Sequence, residues 1–179
     1  MVVLFLTVLL GLVVYTISTI QQAKSQAILI DLAGRQRMLL QQHLNEILLT
    51  SQGITTSYVE TRAMIVSTLH ALMEGGPVVV DPEQGKLRTI AAVPTADMVS
   101  KLDEQRSDFG QIASAADDFL MLSSGHPEAS RKLDALRVLN SKVIETADEV
   151  VKQLNAYSED SLTTMMKWET LIAVCVGVF

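Results

Sequence analysis

The sequence contains one cysteine, Cys175, so no internal disulfide can form. Its three histidines, His43, His70 and His126, are scattered and have no metal-ligand spacing. No glycine-rich phosphate loop, His-Glu-x-x-His pair or serine elbow occurs, which removes the commonest phosphate-transfer, metalloprotease and hydrolase chemistries. Asp117-Asp118 is not a carboxylate dyad, because adjacent helix residues point about 100° apart. The chain therefore reads as a non-enzyme with no cofactor. A net charge of −6 argues against nucleic acid. No internal period or low-complexity segment is present.

A further absence is local. Residues 2 to 20 contain no charged residue. Nineteen residues rising about 1.5 Å each span roughly 28 Å, the thickness of a bilayer core. A signal peptide would need a basic front and a small-residue cleavage site, and neither is clear. Residues 1–20 are thus expected to form a first transmembrane helix. Lys167-Trp168-Glu169 leads into a second apolar run, and Trp beside Lys suits a membrane–water interface. Residues 167–179 are expected to begin a second spanning helix, cut short, with a cytoplasmic signalling module beyond it. Residues 21–166 form the domain between.

What is present in that domain is helical periodicity. The first helix is expected to run unbroken from the membrane to about Gln52, since Gly53 is the first strong breaker. The second covers about Ile54 to Glu74, with Ile54, Tyr58, Ile65, Leu69 and Leu72 on one side. Gly75-Gly76-Pro77 ends it. Val78-Val79-Val80 and Leu87-Arg88-Thr89-Ile90 flank a turn and predict a small hairpin or an ordered loop within residues 77–95. Thr95 is placed to cap a third helix over about Ala96 to Ser123, buried through Leu102, Phe109, Ile112, Ala116, Phe119 and Leu120. After the Ser124-Gly125-His126-Pro127 turn, a fourth helix carries Leu133, Leu136, Val143, Ala147, Val150 and Leu154 inward and continues to the second span. The fold class is all-α: an antiparallel four-helix bundle with both spans at one end.

The first helix holds the candidate site. With Ile30 as zero at 100° per residue, Gly34, Arg37, Gln41, Leu44 and Leu48 lie within about 40° of it. Leu29, Leu32, Leu39, Leu40 and Ile47 form a second apolar group. One face can pack in the bundle and the other against a second copy of the chain. A guanidinium on such a stripe needs partners, and no acid lies on the stripe within one turn. An anion is the direct candidate; a carboxylate from another helix of the bundle is the alternative. Arg35 falls about 140° away, beside Gln42 and Glu46, and reads as a surface residue. Glu145, Asp148, Glu149 and Lys152 read as surface pairs at helical spacing.

Asp31-Leu32-Ala33-Gly34-Arg35-Gln36-Arg37-Met38-Leu39 resembles the start of the PilJ-type sensor domain, the type IV pili methyl-accepting chemotaxis transducer N-terminal domain of bacterial chemoreceptors and sensor kinases. Thr68-Leu69-His70-Ala71-Leu72-Met73-Glu74-Gly75-Gly76 and Pro94-Thr95 are similar to that family too. Ala33, Gly34, Arg37 and Met38 also match the Ala-Gly-x-x-Arg-Met motif of nitrate/nitrite sensor kinases. The resemblance implies a periplasmic bundle in the bacterial inner membrane that pairs into a homodimer and binds a small anion such as nitrate at the dimer interface through an arginine from each subunit. By position that arginine is Arg37, with Gly34 allowing close approach and Ala33, Met38 and Gln41 completing the ligand-binding set. Where family members often continue Ser-Gln-Arg, this chain has Leu40-Gln41-Gln42. Two readings compete with the anion sensor: a module that binds a partner protein through residues 77–95, and a bundle that only dimerises its receptor.

Overall fold

The computed structural model describes residues 2–81, 85–122 and 126–177, without the side chains of residues 2–5, 8, 9, 169 and 171–177. Four helices and one hairpin follow in the order α1 (Val2–Ser51), α2 (Tyr58–Glu74), β1 (Gly76–Asp81), β2 (Lys86–Ile90), α3 (Ala96–Leu120) and α4 (Ala129–Gly177). The helices run up, down, up and down. α1 packs between α2 and α4, and α3 packs against α4 and α2.

Apolar periodicity sets the core. Leu29, Leu32, Leu39, Leu40 and Ile47 of α1 meet Ile65, Leu69 and Leu72 of α2, Leu102, Phe109, Ile112, Ala116 and Phe119 of α3, and Leu136, Val143, Ala147, Val150 and Leu154 of α4. The second apolar group of α1 is thus the face turned into the bundle. Leu120 and Leu133 are partly buried at its edge.

The second helix starts four residues later than expected. Gly53 adopts φ 85° and the Ile54 amide turns back to the Leu49 carbonyl, which ends α1 in a left-handed turn. Ile54 is consequently left 49% exposed rather than buried. At the other end of α2, Gly75 adopts φ 77°, ψ −176°. A Cβ there would stand 3.1 Å from both the Ala92 amide nitrogen and the Ile90 carbonyl oxygen, so only glycine fits this close crossing.

The hairpin is real. β1 and β2 pair antiparallel from Gly76–Ile90 to Asp81–Lys86, with an irregularity between Val79 and Asp81. It buries Val78 and Ile90 and leaves Leu87 out. Thr95 caps α3 as expected: its side-chain oxygen accepts from the Met98 amide at 3.2 Å.

Among the described residues, no helix is long and apolar enough to cross a membrane. The spans expected at residues 1–20 and 167–179 fall partly on side chains outside the described set. What the structure does show is that α1 and α4 extend past the core at the same end of the bundle. Gln22 of α1 still faces Ser161 of α4 there.

Candidate functional site

The predicted residues divide according to which side of α1 they occupy. Gly34, Arg37, Met38 and Gln41 line one groove with Ile144 and Asp148 of α4, a cavity of about 290 Å³. Ala33 is not part of it; at 2% exposure it belongs to the core. The groove lies on the outer seam between α1 and α4, because the core-facing centre of α1 is about 110° around the helix from Arg37.

Arg37 is therefore not a buried guanidinium within one chain. Half of its side chain is exposed, and its Nη1 donates to Asp148 Oδ1 at 2.5 Å. The carboxylate comes from another helix, which is the alternative the sequence left open. Asp148 itself read as a surface residue paired along its own helix. Instead it reaches across to α1, and its neighbour Glu149 reaches Lys101 of α3 at 3.0 Å. The signal available was its step from Ala147, which is in the core: one residue on from a core position, a side chain lies at the helix seam.

Gly34 has open space where a Cβ would be built. Nothing among the described residues requires glycine at that position. Met38, beside it, is 58% exposed. Gln42 donates to Glu46 Oε1 at 2.8 Å and lies 3.5 Å from the Thr61 hydroxyl of α2. It faces away from the groove, so an arginine at that position would not have joined Arg37.

Arg35 corrects the sequence reading. Only 19% of its side chain is exposed. It donates to the Val80 carbonyl at 2.5 Å and the Val79 carbonyl at 3.1 Å, with Asp31 at 3.5 Å. At Arg35 the face that periodicity marks as solvated is covered by the hairpin, which helical arithmetic cannot see.

Two other polar clusters lie apart from the groove. Arg62 forms a two-pronged pair with Asp117 at 2.8 and 3.1 Å, which holds the Asp117 carboxyl below its usual range. Asp117 thus ties α3 to α2 while 47% of its side chain stays exposed. His43 is 1% exposed, sits edge-on to Phe109 at 5.3 Å and has no hydrogen-bond partner on either ring nitrogen among the described residues. Burial first, and then the Arg62 charge, push its pKa down to about 4. Among the described residues no group of acids, histidines or cysteines is placed to hold a metal.

A roomier groove of about 740 Å³ runs along α2 past Val59, Val66 and Pro77. Its lining is mostly apolar, and its arginine, Arg62, is committed to Asp117. The α1–α4 groove is smaller but holds a half-exposed guanidinium, an amide and a small residue together, and that chemistry makes it the candidate site.

The class defined by this architecture is a four-helix bundle carrying a small antiparallel hairpin between its second and third helices. A solved structure that shares the fold is the ligand-binding domain of the P. aeruginosa nitrate receptor McpN, with a TM-score of 0.56 and 15% identity over 73% of this chain and 96% of that one. At that identity the likeness establishes the fold. No protein family and no curated protein matches the sequence.

Proposed function

We propose that this chain is the extracytoplasmic, PilJ-type sensor module of a bacterial signalling receptor, and that it binds a small oxyanion such as nitrate between two copies of Arg37. The observation that carries the reading is the groove itself. Gly34, Arg37, Met38 and Gln41, singled out from sequence, converge at an outward-facing seam that a single chain leaves open. The fold shared with a nitrate receptor's ligand-binding domain supports it.

In the proposed homodimer, two α1 helices approach along the Ile30–Gly34–Arg37–Gln41 stripe. Two guanidiniums near a twofold axis repel each other until an anion sits between them and accepts charge-assisted hydrogen bonds from both. Each such bond contributes on the order of 1.5–3 kcal/mol, less the desolvation of the charges. The anion then favours one spacing of the two α1 helices, a shift of roughly 1–2 Å being typical. Residues 21–166 form the sensor, and residues 1–20 and 167–179 bring it to the membrane. The charge-free stretch at 2–20 and the exposure of Leu6, Leu10, Val14 and Trp168 support that division.

The test is a thermal-shift series on the full chain with nitrate, nitrite, chlorate, sulfate and acetate, for wild type and Arg37→Ala. Nitrate at a hundred times its dissociation constant stabilises the native state by about 2.7 kcal/mol, or roughly 5–10 °C for a chain of this size. A nitrate-specific shift that disappears in Arg37→Ala is the expected result. A flat response from a folded dimer hands the function to a partner protein docking on the hairpin.

A further inference from the structure

The Arg37–Asp148 pair has a consequence for any anion that uses the groove. Asp148 supplies the one carboxylate found on Arg37 among the described residues, and 36% of its side chain is exposed. Both residues line the same cavity as Gly34, Met38 and Gln41. An anion arriving at Arg37 therefore meets a guanidinium already occupied by a group of the same charge and hydrogen-bonding capacity. In a dimer the two Arg37 and two Asp148 charges sum to zero, so an added anion gains little attraction while both carboxylates stay in place. Asp148 has somewhere else to go. Lys152 lies one turn further along α4, on the same face, and makes no ion pair among the described residues.

We propose that Asp148 is a built-in competitor for the anion: it occupies Arg37 in the empty state, must leave it for the ligand to bind, and thereby sets affinity and anion selectivity. The inference rests on the anion-sensor reading above. It adds that binding acts on α4 as well as α1. α1 contributes the receptor guanidinium, and α4 contributes the carboxylate that moves. Because α4 is one helix from Ala129 to Gly177, displacement of Asp148 is felt on the element that leaves the bundle at its C-terminal end. Selectivity follows from the same competition. With Asp148 in place only an anion whose geometry suits both guanidiniums displaces it; without it, the groove is a net positive trap for anions in general.

Asp148→Asn keeps the size and removes the charge. Asp148→Ser is the second variant, in case the amide forms a new hydrogen bond with Arg37 or disturbs folding. Nitrate and sulfate are titrated calorimetrically into the full-length wild type, both variants, Arg37→Ala, and the double variant Arg37→Ala/Asp148→Asn, at constant ionic strength. An exposed ion pair is worth a factor of a few, and two are broken per dimer, so the nitrate dissociation constant is expected to fall about tenfold in both Asp148 variants. Sulfate binding should appear or strengthen, and the double variant should bind neither. If wild type binds nitrate through Arg37 and the Asp148 variants bind it equally or more weakly, Asp148 is no competitor and the inference fails alone. If no folded form binds nitrate, the Asp148 variants included, the anion-sensor reading fails and the inference goes with it.

Discussion

Arg35 donates to the carbonyls of Val79 and Val80, while Arg37, two positions on, reaches Asp148 on the far side of the same helix. Two residues of α-helix rotate a side chain by about 200°, so neighbours in sequence serve different surfaces. His43 is the residue with the clearest pH consequence. Its pKa of about 4 in the folded chain lies below the unfolded value near 6.5. Between those values the unfolded chain binds the proton and the folded chain does not, so stability rises with pH across that window and is lost as pH falls through it. From pH 7 to pH 5 this single group should cost about 2 kcal/mol. His43→Leu, which fills the same space against Phe109 without unpaired nitrogens, should lose that dependence and be more stable at pH 5. Thermal midpoints of the two proteins at both pH values check it; parallel curves would assign the acid sensitivity to other groups.

At the scale of elements, Arg35 ties the hairpin to α1 in addition to the core contacts of Val78 and Ile90. Arg35 places two hydrogen bonds on β1 carbonyls from a largely covered position. Bonds from a charged donor are worth roughly 1.5–3 kcal/mol each, less what solvent returns when they break. Arg35→Ala should loosen the hairpin by about 2 kcal/mol and leave the bundle folded. Hydrogen exchange reads this directly: amides of residues 78–81 and 86–90 should lose protection while those of Leu69, Leu102 and Leu136 keep it. Equal loss throughout would mean that the hairpin and bundle unfold as one unit. The helices themselves were legible because their apolar positions recur with the right period, and Thr95 was legible because a capping side chain acts on its own neighbours. The start of α2 was not. Ile54 has the spacing of a core residue, but the Gly53 turn placed it outside.

For the whole molecule, the question is what covers the outer α1–α4 seam. Gly34 has empty space around it within one chain, so Gly34→Ala meets no obstacle there. Alanine in place of a helical glycine should raise the stability of the single chain by roughly 0.5–1 kcal/mol. In the proposed dimer the same methyl group lies where two α1 helices approach, so association should weaken. Sedimentation equilibrium together with thermal midpoints separates the two effects. A variant that is more stable and dimerises as before would place the interface elsewhere on the bundle.

Read from the residues alone, the chain leaves residues 77–95 open between a hairpin and an ordered loop and yields the four helices, most of their inward residues, the α3 cap and the shared helix face of Gly34, Arg37 and Gln41. All of these depend on interactions within a few residues or on the angular period of a helix, which one sequence carries in full. Tertiary structure alone decided that Arg37 meets Asp148, that Arg35 is covered, that Asp117 ties α3 to α2, and that Gln36 and His43 lie in the core. Asp148 is 111 positions from Arg37. Such contacts depend on how far each helix is rotated and how high it sits against its neighbours, and the packing of the whole core fixes both.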